Sequence, residues 1–171
     1  MREVTLTDKE GNKIGQAEIL EAHTGEGMLH RAFSIYVFRN NRSEVLIQKR
    51  ANTKLLFAGI WANTCCSHPF IDEDVLNAGE RRLNEECGFT AHLKVEGTLV
   101  YKAEDPNGNG VEYEHVTLLT ADLNGDVGLD PNPEEIEAME WRDVSNLKED
   151  MKNNQHAYAP WFHLGLNIIC K

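Results

Sequence analysis

An α+β fold is what this chain predicts, and three observations lead there. Apolar residues alternate with polar ones in two well-separated pairs of segments, one helix-patterned segment with capping signals lies between the pairs, and two more helical segments close the chain. Strand pairs interrupted by a central helix indicate a mixed α+β sandwich rather than a doubly wound sheet, which would need a helix after nearly every strand. At 171 residues, with no linker, repeat or low-complexity tract, the chain is expected to form one domain over residues 1–171, large enough to bury a core and still carve a pocket.

The elements follow in order. Ala32 to Arg39 (AFSIYVFR) turns Phe33, Ile35 and Val37 inward, Glu44 to Arg50 (EVLIQKR) turns Val45 and Ile47 inward, and the polar NNRS between them makes the two a hairpin. A further strand is expected near Gly59 to Thr64. The acid-rich stretch from Asp72 to Phe89 reads as a helix that Asp72 or Asp74 caps and that Gly88 ends. His92 to Ala103 and Gly110 to Leu123 form the second strand pair about the turn EDPNGNG. A strand around Ile136 to Trp141 follows the Pro-rich DPNPEE, and DVSNLKEDMKN and APWFHLGLNIIC are the closing helices.

Composition narrows the function. There are 28 acidic and 17 basic residues, a net charge of −11, which argues against a nucleic-acid partner because a phosphate-tracking surface is basic. An anionic small molecule remains open if a few Lys and Arg gather locally. No apolar run reaches the length of a membrane span and the first residues (MREVTLTDKE) carry no signal-peptide core, so a cytoplasmic protein without a membrane span is expected. The four cysteines, Cys65, Cys66, Cys87 and Cys170, show no disulfide-framework spacing.

Chemistry concentrates in a few places. The stretch WANTCCSHP, Trp61 to Pro69, sets two thiols and a histidine between a tryptophan and a proline. In the strand segment VEYEH, Glu112 and Glu114 share one face, since side-chain direction repeats every two residues; two such carboxylates repel unless a cation or a shared proton intervenes. His23 and His30 flank the loop TGEGML, and His68 lies two residues beyond Cys66. Were these three histidines to meet Glu112 and Glu114, they would form a mixed nitrogen and oxygen set suited to Zn, Mn or Mg. On the central helix, Arg82 and Glu86 are four apart and share a face, which on an isolated helix is a surface ion pair.

The segment RRLNEECGF, Arg81 to Phe89, resembles the Nudix signature R-E-apolar-x-E-E-x-G-apolar at Arg81, Leu83, Glu85, Glu86, Gly88 and Phe89. It departs at Arg82, where Nudix hydrolases place a metal-binding glutamate; an arginine there removes a ligand and adds a bidentate phosphate fork. WANTCCSHP, HTGEGMLHRAFS, RRLNEECGF, VEYE and the late APW, in that order from about His23 to Trp161, are together similar to the type I isopentenyl-diphosphate Δ-isomerases, a Nudix-fold family. The resemblance implies interconversion of isopentenyl and dimethylallyl diphosphate, with Cys66 and Glu114 as the acid/base pair and Tyr101 as a hydrogen-bond relay. It implies a divalent metal (Mn²⁺, Zn²⁺ or Mg²⁺) on His23, His30, His68, Glu112 and Glu114, and a diphosphate-bound Mg²⁺ on Glu86 with the Cys66 carbonyl. Trp161 would face the carbocation, Arg50, Lys54 and Arg82 would hold the diphosphate of a small allylic or homoallylic substrate, and a monomer is expected. Cys65 needs no role.

The chain also departs from that family. Ile19 stands where the family has a lysine four residues before the first metal histidine, so that phosphate contact is missing or comes from elsewhere, for example Lys13 or Lys49. Ala58 stands where a proline is usual, and the stretch between Pro69 and the helix lacks an expected glycine. Two other functions compete: a Nudix hydrolase of a diphosphate-containing nucleotide derivative, and a non-catalytic metal- or nucleotide-binding module using Cys65, Cys66 and His68 as ligands.

Overall fold

A computed structural model describes residues 2–171. Its first elements, a hairpin of β1 (Glu3–Thr7) and β2 (Lys13–Glu18), were not expected from the sequence. The reason is local: β2 buries only Ala17, so its alternation is too shallow to register as a strand pattern. The chain then makes one helical turn, α1 (Ile19–Ala22), capped by the Glu18 carboxylate, which accepts from Leu20 N at 2.9 Å and Glu21 N at 3.3 Å. That turn ends at His23.

The predicted hairpin forms as β3 (His30–Arg39) and β4 (Glu44–Arg50), turned by Asn40, Asn41 and Arg42 in the left-handed region, where asparagine is better tolerated than most residues. One expectation fails. Neither strand has a single inward face, because both sides of the sheet are covered: Phe33, Ile35, Val37 and Leu46 belong to one core, and Tyr36, Phe38, Val45 and Ile47 to the other. A strand buried on both faces reads as a continuous apolar run, which is what SIYVF is.

The second pair forms as β7 (Lys94–Glu104) and β8 (Val111–Leu123), antiparallel to each other, while β8 from Glu114 on runs parallel to the whole of β3, so the sheet is mixed. β9 (Ile136–Asp143) pairs with β4. The strand expected over residues 59–64 is instead two short pieces, β5 (Trp61–Ala62) on β4 and β6 (Cys65–Ser67) on β3. Asn63 and Thr64 fill the wedge where β3 and β4 part. Thr64 Oγ1 accepts from Val37 N and donates to Leu46 O, and Asn63 Nδ2 donates to the carbonyls of Ile35 and Cys65, so side chains replace the missing ladder bonds.

The central helix, α2 (Val75–Cys87), is shorter than the expected 72–89. Asp74, not Asp72, caps it, accepting from Leu76 N and Asn77 N, and Gly88 closes it in the left-handed conformation that glycine adopts without strain. It lays Ala78, Leu83 and Cys87 on the Phe33–Ile35 face of the sheet. The opposite face is covered by α3 (Val144–Asn153) and α4 (Pro160–Ile169), the latter bringing Trp161, Phe162 and Leu166 into the other core. Helices on both faces of a mixed sheet give the α/β/α sandwich, and among the described residues no helix is long and apolar enough to cross a membrane.

Candidate active site and metal centre

Strand register assembles the site. β8 sits between β7 and β3, pairing Glu114 with Tyr101 on one side and with His30 on the other. Across the other edge of β3, Ser34 lies opposite Cys66 of β6. With a period of two, Glu112 and Glu114, Cys66 and His68, and His30 and Ser34 all project from the same side of the sheet. Glu112, Glu114, Cys66 and His68 line a cavity of about 520 Å³ together with Arg50, Lys54, Arg82 and Trp161, while His30 and Ser34 are buried.

The three histidines and two glutamates converge: each offers a ligand atom within 4.8 Å of all the others. His23 Nδ1 lies 2.6 Å from Ile19 O and His30 Nδ1 lies 2.7 Å from Met28 O. A carbonyl can only accept, so Nδ1 carries the hydrogen in each ring and Nε2 is turned inward with its lone pair, the orientation that metal-bound imidazoles take. His30 Nε2 and His68 Nε2 face each other at 3.1 Å, a spacing that requires a proton or a cation between the lone pairs, and His68 Nε2 is 2.9 Å from Glu114 Oε1. The set therefore fits a divalent ion taking mixed nitrogen and oxygen ligands.

Charge within the cluster is unevenly held. Burial opposes a charge on His23, but its hydrogen bond to Glu112 and that carboxylate's charge outweigh it and lift His23 to about 9. Burial and the charge of Glu114 raise Glu112, so the His23–Glu112 pair, 3.0 Å apart, retains a proton at neutral pH. Burial would raise Glu114 as well, yet the imidazoles of His30 and His68 hold it well below the usual carboxylate range. His68 itself, buried, is taken down to about 4. Tyr101 donates to Glu114 Oε2 at 2.7 Å, and burial beside that carboxylate keeps the phenol protonated.

On the opposite wall the Cys66 thiol donates to Asn63 Oδ1 at 3.1 Å and lies 3.4 Å from Ser34 Oγ; burial pushes it up to about 12. Asn63 Oδ1 also accepts from Trp161 Nε1 at 3.2 Å. Because Asn63 Nδ2 is anchored on two backbone carbonyls, its oxygen can point only toward the thiol and the indole. Asn63 was quoted within WANTCCSHP but given no role, and the sequence carries no signal for one beyond its place in that motif. Asn63→Ala strands the thiol, the indole and two buried carbonyls at once; a loss of about 2–4 kcal/mol in stability and a kcat lowered by about 10-fold or more are expected from thermal denaturation and turnover. An unchanged kcat would show that the orientation of Cys66 and Trp161 does not matter to turnover.

Trp161 stands with its ring edge-on to Phe57, centroids 5.1 Å apart, and beside Tyr101 at 5.7 Å. Phe57 has a left-handed backbone, held by the buried Asp105 carboxylate, which accepts from Phe57 N at 2.6 Å. Arg50 donates Nε to Phe57 O and Nη2 to Leu56 O, so it ties that loop while its guanidinium lies 5.6 Å from the Trp161 ring centroid.

Three further placements complete the site. Glu86 is buried behind Arg82, whose Nε donates to Glu86 Oε1 at 3.0 Å; it stands apart from the five converging ligands, and its Oε2 has no hydrogen-bond partner among the described residues. Arg82 and Lys54 both also reach Glu135. Lys13 and Lys49, offered above as substitute phosphate contacts, are not at the cavity: Lys13 pairs with Asp72 and Lys49 with Glu137, both near the surface. The sulfur-ligand module is overturned too, because Cys65, the neighbour of Cys66 on a strand, points to the other face and is buried against α2 with Cys87.

A helix carrying Arg-Arg and Glu-Glu pairs beside a mixed, helix-flanked sheet places the chain in the Nudix class: the NUDIX domain family matches residues 28–162. The fold alone is shared with a Deinococcus radiodurans protein (TM-score 0.79, 14% identity, 99% of this chain and 100% of that one) and with a MutT protein from Methanosarcina mazei (TM-score 0.64, 13% identity, 83% and 93%). Within that class the chain belongs to the isopentenyl-diphosphate Δ-isomerase family. The isopentenyl-diphosphate Delta-isomerase of Halorhodospira halophila is 41% identical over 162 residues, covering 95% of this chain and 91% of that protein. That of Aliivibrio fischeri (strain ATCC 700601 / ES114) is 41% identical over 165 residues, covering 93% and 90%.

Proposed function

We infer that the protein interconverts isopentenyl diphosphate and dimethylallyl diphosphate, an isomerase supplying isoprenoid precursors. The observation that carries this reading is one cavity in which Glu114 is at once a member of the five-ligand cluster and the acceptor of the Tyr101 hydroxyl, with the Cys66 thiol and Trp161 lining the same space. Family membership supports it over a Nudix hydrolase. So does Arg82, a cation bonded to Glu86 where a hydrolase would need another carboxylate ligand.

The reaction moves a proton across an allylic unit. One group adds a proton to the terminal CH₂ of isopentenyl diphosphate, leaving a tertiary cation at the adjacent carbon, and the other removes a proton from the CH₂ on the far side to form the internal double bond. Cys66 and Glu114 are those two groups. Tyr101 holds the Glu114 carboxyl through Oε2 and passes hydrogen-bond polarisation to it. An unactivated alkene is a very weak base, so the acid must be well placed and shielded from water, which the burial of Glu114 and the half-buried position of Cys66 provide. Trp161, locked by Asn63, offers its π face to the cationic carbon, worth about 2 kcal/mol or more where water is excluded.

His23, His30, His68, Glu112 and Glu114 would hold one divalent metal, Mn²⁺, Zn²⁺ or Mg²⁺, which when bound makes any proton on the Glu114 carboxyl unusually acidic. Glu86 would hold a Mg²⁺ shared with the diphosphate, and Arg50, Lys54 and Arg82 the diphosphate itself. The test is incubation with isopentenyl diphosphate and Mg²⁺ in D₂O, followed by NMR. Deuterated dimethylallyl diphosphate with no released phosphate is expected; release of phosphate or a monophosphate without isomer would make the protein a hydrolase instead.

A further inference from the structure

Ile19 brings no charge to the cavity, and Lys13 and Lys49 are turned away from it. A different cation has taken the space. Arg2 precedes β1 and Ile19 follows β2, and Ile19 N donates to Arg2 O at 2.9 Å, so the two residues are neighbours at one end of the β1–β2 hairpin and both line the cavity. The Arg2 side chain reaches across to β6, where its Nη2 donates to Ser67 Oγ at 3.0 Å and to His68 O at 3.2 Å. This parks the guanidinium beside the strand that carries Cys66 and the histidine that follows it.

Two of the five N–H donors of the guanidinium are thereby used. Nε and Nη1 have no protein acceptor among the described residues, and no carboxylate lies within ion-pair distance of Arg2. The other cations of the cavity are already engaged: Lys54 by Glu135, Arg82 by Glu85, Glu86 and Glu135, Arg50 by two carbonyls. A half-buried guanidinium that lines the same cavity as Arg82 and leaves three of its five N–H donors unspent lacks an anion, and a planar guanidinium matches phosphate oxygens two at a time.

We propose that Arg2 is a diphosphate-binding residue, its Nε and Nη1 donors gripping the substrate's phosphate oxygens from the first strand in place of the lysine that Ile19 replaces. The assignment rests on the functional reading above and adds a specificity element to the same cavity. The competing role is a strut, in which Arg2 only ties β6 to β1 through Ser67 and His68.

The experiment compares the full chain with Arg2→Ala, Arg2→Lys, and the double variant Arg2→Ala with Ile19→Lys. The readouts are kcat and KM for isopentenyl diphosphate, and calorimetric affinity for inorganic diphosphate with Mg²⁺. Arg2→Ala is expected to raise KM and weaken diphosphate binding by about 10- to 100-fold, the span of hydrogen bonds to charged groups, with kcat changed by less than about threefold. Arg2→Lys falls between, and Ile19→Lys recovers most of the lost affinity, because it restores charge but not the bonds to Ser67 and His68. Unchanged KM and diphosphate affinity overturn the proposal. So does a fall in kcat or in folding that Ile19→Lys fails to rescue, which assigns the strut. If the unaltered protein binds diphosphate but isomerises nothing, the functional reading fails, while the calorimetric comparison still decides whether Arg2 holds phosphate.

Discussion

Cys66→Ala is expected to cut kcat for isomerisation by at least about 10³-fold, toward the upper end of what one general acid/base group contributes. The loss should exceed a typical single-group effect because the reaction needs a proton added and another removed on different sides of a short carbon chain, and the phenols of Tyr36 and Tyr101, which feel the charge of Cys66, are held protonated by burial and cannot replace it as a base. Ser34 Oγ, 3.4 Å away, is an alcohol and far too weak a base. Stability should hardly move, since Asn63 Oδ1 keeps its bond from Trp161 and only one sulfur atom is removed from the wall. Cys66→Ser keeps the shape and a hydroxyl but no thiol, and a loss of about 10²-fold or more is expected, because an alcohol in the same wall gives up its proton far less readily than a thiol. The check is turnover by NMR, with circular dichroism to confirm folding. Retention of more than a tenth of kcat in Cys66→Ala would remove the thiol from the reaction.

The same geometry explains why the cavity holds a diphosphate rather than cutting it. Cleavage needs an activated water beside a phosphorus atom, prepared by carboxylates and metal. Along α2, Arg82 occupies the surface next to Glu86 and binds it, so the helix presents an ion pair whose guanidinium lines the cavity where a hydrolase would need a free carboxylate ligand. Arg81 is drawn to the other side by Glu73 and Glu85. In the proposed reaction the chemistry moves to the sheet, where Glu112, Glu114 and Cys66 stand.

Which parts of this were legible in the sequence follows from how far apart the interacting residues lie. β3, β4, β8 and α2 carry their own signals, namely β-branched and aromatic runs, a polar turn with left-handed asparagines, and an aspartate and a glycine at the two helix ends. β1, β2 and α1 do not, because the only apolar residues they bury are Val4, Ala17 and Ala22, in a satellite core, and a strand with one buried apolar residue has no apolar periodicity to read. The break between β5 and β6 was hidden for another reason: Asn63 and Thr64 trade strand pairing for side-chain bonds to β3 and β4, which no local pattern announces. For the site, residue types were visible but their meeting was not. His30 reaches Glu114 only because β3 and β8 pair in parallel, in a register fixed by two cores. Arg2 was invisible for the same cause. A lone arginine before an unrecognised strand looks like any solvated charge.

Glu114→Gln is expected to abolish isomerisation, with a loss of at least about 10⁴-fold, because one substitution removes two functions. The amide keeps the shape and still meets Tyr101 and His68, but it can neither hold a transferable proton nor supply negative charge to the cluster. Glu112→Gln separates the two functions. Glu112 faces His23 at 3.0 Å and has no contact with Tyr101, so its loss should weaken metal retention while leaving the proton-transferring carboxyl in place. Excess Mn²⁺ or Mg²⁺ should therefore restore much of the activity of Glu112→Gln and none of that of Glu114→Gln. Metal content by elemental analysis should fall in both. Chelation should lower the melting temperature of the unaltered protein, since metal held at about 100 times its dissociation constant contributes about 2.7 kcal/mol to the folded state, and it should do so less in either variant. If excess metal revived Glu114→Gln as fully as Glu112→Gln, Glu114 would be a ligand alone, and the proton facing Cys66 across the substrate would have to come from Tyr101.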